Sequence, residues 1–307
     1  MTLAIAPQHV RRHRPLLVLT AATILLAVVA GIGIAADPRI LLGVPIWLKP
    51  FKFAVSFALY GITLAWLFSV LPRRSRLAEW AGTVIVGVAV VELAIIVTQT
   101  VRGTPSHFNM TTPLNAELWQ AMGTSILVLF GAHLAISVVA LRQRMADRLA
   151  AYAIRLGLVL SMLGLLAAVP MVLPSQDPGI AGIVGAHSVG VPDGGPGMPL
   201  TGWSTTGGDL RIGHFVGLHA LQVMPLLAIL LGRLFGGRLD RAVLARLLLV
   251  AGAAYGVLVV LLTWQALRGQ PLLHPDALTL GAVAALVAGT AGAAVAVLRN
   301  GRVRSIG

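Results

Sequence analysis

The feature that most constrains this chain is a series of apolar segments, each long enough to cross a lipid bilayer. A helix of roughly 20 apolar residues spans the ~30 Å hydrocarbon core and satisfies its own backbone hydrogen bonds there. The segments are helix-length and do not alternate as the strands of a membrane barrel would. They predict an all-α polytopic membrane helix bundle with about eight transmembrane helices, near residues 15–36, 53–71, 80–101, 118–141, 150–174, 213–235, 247–269 and 276–298.

The composition agrees with a lipid environment. Hydrophobic residues make up 57% of the chain and charged residues 11%, so a folded chain could not cover its surface with polar groups. The first apolar segment is long enough to stay in the membrane and no cleavage site follows it, which argues against a cleaved signal. The chain has no cysteine, so a bound metal would need histidine, carboxylate or methionine ligands.

The net charge of +13 raises the question of nucleic-acid binding, which the positions of the basic residues decide. No basic face interleaved with aromatic residues is present, which excludes nucleic acid as a partner. Positive residues at alternate helix ends instead predict cytoplasmic loops, with both termini cytoplasmic in a bacterial inner membrane. Sixteen of the 23 Lys and Arg residues lie on that side: Arg11, Arg12, Arg14, Arg73, Arg74, Arg76, Arg142, Arg144, Arg148, Arg233, Arg238, Arg241, Arg246, Arg299, Arg302 and Arg304.

Two sequence patterns occur twice, in the same order. Gln-x-x-Arg-Gly-x-Pro covers residues 99–105 and 265–271, at the ends of predicted spans three and seven. A leucine, two basic residues, a phenylalanine and Ala-Leu recur at matching spacing in 48–59 and 210–221, where spans two and six begin. We predict two four-helix repeats, residues 1–149 and 150–307. Four crossings are an even number, so both repeats enter the membrane in the same direction.

The predicted outer side carries the one long loop, residues 175–212. Loops of this length are usually either functional or unstructured. The low charge of the loop and its embedded Trp203 favour a lid over the helix ends. The alternative is a flexible, glycine-rich connector.

Lys49 and Lys52 are the only lysines among 23 basic residues, which suggests that arginine cannot replace them. Lys52, Tyr60 and Thr63 fall on one stripe of a helix, together with Ser56. Such a stripe is predicted to face protein or a water-filled cavity, because ionisable groups are costly against lipid. The alternative is that both lysines extend to the outer headgroups.

Three further polar residues lie within predicted spans. Glu92 is near the middle of span three, and Gln99 is on the same face two turns further out. A buried carboxyl can carry or relay protons, or it can serve as a structural hydrogen-bonding group. His133 lies towards the cytoplasmic side of span four, which favours an interhelical hydrogen bond over a role with the outer histidines.

Five histidines converge on the predicted outer face, which favours a metal or haem site. The alternative is that each is a polar residue at the membrane interface. His214 and His219 point about 140° apart on their helix and so cannot easily chelate one ion. The predicted metal ligands are His107 and His187, and the predicted cofactor ligands are His214, His219 and His274.

Eight spans in two parallel four-helix units, with histidines at the outer ends of spans six and eight, resemble the haem A synthase family. The resemblance implies a haem b held between histidines, and a carboxylate that takes part in catalysis. His214 or His219 would match the span-six ligand and His274 the span-eight ligand. The family's span-two ligand, Glu-x-x-His-Arg signature and loop cysteines have no counterpart in this chain. A quinone or another electron-transfer partner would follow from a redox function. The candidate catalytic residues are then Glu92, Lys52 and Tyr60.

A transporter or binding protein for a small anionic solute is the alternative function. Basic residues at the outer ends of the duplicated units would form an electropositive vestibule. A structural partner of another membrane complex is a third hypothesis. The candidate substrate-binding residues are Lys49, Arg102, Arg211 and Gln222. The predicted cavity is roofed by the long loop and lined by Lys52, Tyr60, Arg102, His107, Arg211, His214, His219 and Gln222.

Overall fold

The computed structural model of the chain describes residues 13–173 and 181–303. Eight helical segments of this part are long and apolar enough to cross a membrane, which confirms the predicted all-α polytopic bundle. The helices are α1 Arg14–Ala36, α2 Leu48–Val70, α3 Arg76–Arg102, α4 Pro113–Arg142, α5 Arg148–Leu166, α6 Val169–Val172, α7 Arg211–Phe235, α8 Arg241–Leu267 and α9 Ala277–Val303. Two short antiparallel pairs accompany them, β1 Ile40–Leu41 with β2 Val44–Pro45, and β3 Ser188–Val189 with β4 Gly208–Asp209.

Local capping residues set several helix boundaries. Ser75 caps α3 by accepting the N–H of Ala78, and Thr112 caps α4 ahead of a proline in the first turn. Pro170 has no N–H to continue the helix before it, so α5 ends and the short α6 follows. The predicted span 150–174 is therefore not one continuous helix, although α5 and α6 together count as a single crossing.

The two ends of the bundle differ in character. We call the end that carries residues 181–210 the lid face, and those residues the lid. The opposite end, where α1, α3, α5 and α8 begin with an arginine, is the arginine face. The positive-inside rule predicts that the arginine face is cytoplasmic.

The two halves pair their helices in the same way. In the first half the main contacts join α1 with α2, α2 with α3, α1 with α3, and α3 with α4. In the second half they join α5 with α7, α7 with α8, α5 with α8, and α8 with α9. A duplication would give this arrangement, and the duplication stays a prediction.

The Gln-x-x-Arg-Gly-x-Pro pattern makes the same helix end in both halves. Gly103 and Gly269 adopt left-handed φ values of 71° and 72°, which glycine reaches without steric strain. Gln99 donates from Nε2 to the carbonyl of Pro105 at 3.4 Å, and Gln265 donates to Pro271 at 2.8 Å. The repeated motif is thus a cap for the third helix of each half.

The second half is held by a close helix crossing. A Cβ atom built on Gly164 of α5 would lie 2.3 Å from the nitrogen of Leu218 in α7, and one on Gly217 would lie 2.4 Å from Cα of Gly164. Only glycine permits this approach of two backbones. Leu221 of α7 also joins the hydrophobic core of the first half, so the two halves share one core.

Candidate functional site at the lid face

Two carboxylates, one half-buried and one fully buried, organise the lid. Asp193 accepts hydrogen bonds from the His187 backbone at 3.0 Å, the His187 Nδ1 atom at 2.8 Å and the Ser188 backbone at 2.8 Å. Asp209 is fully buried and accepts from the Ser204 backbone and from Arg211. The β3–β4 pair joins these two turns. The predicted loop is therefore an ordered structure over residues 181–210.

Two cations fasten the lid to the helices. Lys52 of α2 donates from Nζ to the carbonyl of Thr201 at 2.6 Å. Arg211 of α7 donates from Nη2 to the carbonyl of Gly202 at 2.7 Å while it also binds Asp209. Charge-assisted bonds of this kind are stronger than neutral ones. The lid turn at Thr201 and Gly202 is thus bound by residues near the start of α2 and α7, two helices that correspond to each other in the predicted repeat.

Lys49 is the third cation of this group. Its Nζ lies 6.0 Å from the centre of the Phe53 ring, and its electrostatic neighbours include Arg211, Lys52 and Asp193. Among the described residues, no hydrogen bond or ion pair is formed by this ammonium group. Lys49 is therefore the free donor of the cluster.

An aromatic wall lies beside the cluster. The His107 ring contacts Phe53 and Trp119, with centroid distances of 5.6 and 5.8 Å, and Phe108 contacts His187 at 5.0 Å. Burial lowers the pKa of His107 well below its ordinary value, and the positive charge of Lys49 adds to this effect. His107 is neutral at pH 7, so the charge of the cluster comes from the lysines and arginine.

Of the other predicted histidines, His214 and His219 lie on α7, and the electrostatic neighbours of His214 include His187 and His219. His214 Nδ1 lies 2.7 Å from the carbonyl of Gly164. His219 packs on Phe215 at 4.3 Å. His274 is exposed in the connection to α9, and no hydrogen bond, ion pair or ring contact of the described residues joins it to the cluster. The described residues contain no group of three His, Asp or Glu side chains placed to hold a metal ion.

Arg102 belongs to the α3 cap. Its Nη1 donates to Gln99 at 2.5 Å and to Asn115 at 2.9 Å. In the second half, Arg268 donates to Asp276 and to Thr279. Asn115 and Thr279 both lie three residues beyond the capping residue of the fourth helix of their half. These two arginines tie the third and fourth helices together.

Glu92 lies in the membrane-spanning interior, where it is 1% exposed. Its Oε1 atom is 2.5 Å from Ser125 Oγ, and its Oε2 atom has no hydrogen-bond partner among the described residues. An ionised carboxylate with one donor and one bare oxygen would be very costly in this environment. The geometry fits a neutral carboxylic acid that shares its hydrogen bond with Ser125.

A directed chain of hydrogen bonds links the two halves. Ser161 donates its only proton to the carbonyl of Leu158 at 2.9 Å, so it accepts the bond from His133 Nε2 at 2.9 Å. His133 Nδ1 then accepts from the Tyr60 hydroxyl at 2.7 Å. His133 is thus an interhelical residue, and the Tyr60 proton is committed to it. Further along α2, Gln222 donates to Thr63 at 3.0 Å.

The sequence did not single out Ser125 or Ser161. Isolated serines are common within apolar helices and carry no signal until their partners on other helices are known. Comparisons of the chain with protein-family models, curated proteins and solved structures found no match.

Proposed function

We propose that this integral membrane protein binds a small anionic solute, bearing a carboxylate or phosphate, at the lid face between the first turns of α2 and α7. The observation that carries the proposal is the unpaired ammonium of Lys49 beside Lys52 and Arg211. A cation in a partly buried site without a counter-ion is unfavourable. An anion would supply the missing partner.

The local charge balance favours the same ligand. Lys49, Lys52 and Arg211 contribute three positive charges, whereas Asp193 and Asp209 contribute two negative ones. Both carboxylates are already satisfied by hydrogen bonds within and beside the lid. The amino ends of α2 and α7 add partial positive charge at the same place.

The lid links binding to access. The Thr201 and Gly202 carbonyls occupy donors of Lys52 and Arg211 that an anion would take. A solute that bound all three cations would compete with these carbonyls and loosen the lid turn. Trp203, which packs against Phe215 with a centroid distance of 5.7 Å, anchors the same turn. The lid then serves as the gate of the site.

Calorimetric titration of the detergent-purified protein with acetate, succinate, phosphate and sulfate tests the proposal. We expect at least one of these anions to bind, and Lys49→Met to weaken its binding about tenfold to a hundredfold, since a hydrogen bond to a charged group contributes about 1.5–3 kcal/mol. Arg238→Gln on the arginine face is the control and should bind as the wild type does. Failure of all four anions to bind, or undiminished binding by Lys49→Met, would contradict the proposal.

Haem binding is the second candidate, and one observation favours it. His214 Nδ1 is held by the Gly164 carbonyl, which leaves Nε2 as the free ring nitrogen, as is usual for a metal-ligating histidine. The Nδ1 atom of His187 is likewise hydrogen-bonded, to Asp193, which leaves its Nε2 atom free. An absorption spectrum of the purified protein decides the matter, because haem would give an intense Soret band that is lost in His214→Ala.

A further inference from the structure

A cavity with both charged and apolar lining residues lies at the arginine face, at the opposite end of the bundle from the lid. Its volume is about 600 Å³, and it is bounded by the first turns of α1 and α3 and the last turn of α2. Its lining combines Arg14, Arg74, Arg76 and Glu79 with Phe68, Trp80 and Thr83, of which Phe68 is buried and the last two are exposed. Arg76 and Thr83 are seven residues apart on α3, so the cavity extends ~10 Å along the helix.

The mouth of the cavity has uncompensated positive charge. Arg74 is paired with Glu79 at 2.8 Å. Within the described part of the chain, no carboxylate lies within ion-pair distance of Arg14 or Arg76. Both are the first residues of their helices, where the helix dipole is itself positive and disfavours a cation. An anion at this place would relieve both sources of repulsion.

In the second half, one of the two arginines that begin helices at the same end has a carboxylate partner. Asp147 caps α5 and forms an ion pair with Arg241, the first residue of α8. At the corresponding place in the first half, α1 is capped by His13, which carries no negative charge and approaches the Glu79 carbonyl. The first half therefore has no carboxylate at this cap, and the carboxylate that lines the cavity, Glu79, is paired with Arg74.

The walls of the cavity continue onto the lipid-facing surface. Trp80 is 68% exposed and Leu77 is 54% exposed, both in the first two turns of a membrane-spanning helix. Tryptophan prefers this interfacial depth. A ligand here would meet arginines at one end and apolar side chains at the other.

We propose that this cavity binds the headgroup of an anionic phospholipid from the adjacent leaflet. The phosphodiester would lie between Arg14 and Arg76, whose planar guanidinium groups suit bidentate binding of phosphate. The glycerol and upper acyl chain would lie along Phe68 and Trp80. Basic pockets between helices at the cytoplasmic surface are known to select such lipids, and the proposal is independent of the anion site under the lid.

Native mass spectrometry of the full-length protein with phosphatidylglycerol or phosphatidylcholine tests this assignment. We expect phosphatidylglycerol to be retained in preference to phosphatidylcholine, and the double variant Arg14→Gln, Arg76→Gln to bind it at least tenfold more weakly. The matched control is Arg238→Gln, Arg246→Gln, which removes the same charge from the same face and should retain the lipid. Inorganic phosphate at equal concentration should not displace it.

A variant that fills the cavity provides a second test in case the double variant does not fold. Thr83→Phe keeps both arginines and should reduce retention, because the larger side chain would occupy part of the cavity that Thr83 lines. Equal retention of the two lipids, wild-type retention by the double variant or by Thr83→Phe, or displacement by inorganic phosphate would each overturn the proposal.

Discussion

At the scale of single residues, the placement of protons is the most informative property of the structure. The chain from Tyr60 through His133 to Ser161 ends on a backbone carbonyl, and each of its donors is used once. Such a satisfied network rigidifies a bundle. Tyr60, a candidate catalytic residue from the sequence, therefore has a structural hydrogen bond, whereas Glu92 keeps an unpartnered oxygen.

We predict that Glu92 is protonated at neutral pH. Infrared spectroscopy should show a carboxylic acid C=O stretch in the wild-type protein that is absent from Glu92→Gln. The variant should unfold within about 1 kcal/mol of wild type, because an amide can replace a neutral acid as the donor to Ser125. Glu117→Gln on α4, which leaves the Ser125 contact intact, is the control. A wild-type spectrum without this band would show that the carboxyl is ionised.

At the scale of elements, the lid is the part whose stability depends on pH. Burial lowers the pKa of His187 below its ordinary value of 6.5, against the opposite effect of Asp193. Burial raises the pKa of Asp193, but the hydrogen bonds from His187 outweigh it and hold the value below the usual range. Above pH 6.5 neither group opposes the closed lid. As pH falls below that value, His187 binds a proton in the open lid but not in the closed lid. Acidification therefore weakens closure of the lid.

We therefore predict that acidification from about pH 7.5 to about pH 5.5 loosens the lid. The chain has no cysteine, so Thr206→Cys in the exposed part of the lid gives a single site for a nitroxide label. Electron paramagnetic resonance should report a more mobile label at the lower pH. In His187→Gln the response should shrink, since the titrating group is gone. An equal response in that variant, or none in the wild type, would refute the assignment.

The elements also show what the sequence could and could not predict. Hydropathy located every span but began α2 and α4 about five residues late, because Lys49, Lys52 and Asn115 are polar residues within helices. The stripe that contains Lys52 was expected to face protein, and it does. Its partner Thr201 lies 149 residues away, and only the folded lid brings them together. Symmetry suggested Arg102 for the same cavity, but the cap geometry directs it to Asn115.

At the scale of the whole molecule, the three five-residue connections, 71–75, 143–147 and 236–240, lie at the arginine face, and the longer connections, with the lid among them, lie at the opposite end. The ion pair between Asp147 and Arg241 joins two helices at the arginine face, and the lid joins α2 with α7 at the other. The two ends of the bundle therefore differ in structure. Which end faces the cytoplasm is the property of the whole molecule that most needs to be measured.

We predict that the arginine face is cytoplasmic. An enzymatic reporter inserted at residue 77 should be active in the cytoplasm, and one at residue 190 should be active in the outer compartment, because arginine-rich connections are retained inside. Reporters on the same side would contradict the three crossings, α3, α4 and α5 with α6, that lie between them. Reporters with exchanged sides would invert the topology and place the lid in the cytoplasm.

The contact between Gly164 and Gly217 limits how the molecule can move. A slide of α5 along α7 by one turn, about 5.4 Å, would place Leu160 or Leu221 where a glycine now stands, and no space exists there for a side chain. The two helices must travel as one rigid unit. A site that opens only through its lid would admit and release the solute on the same side of the membrane.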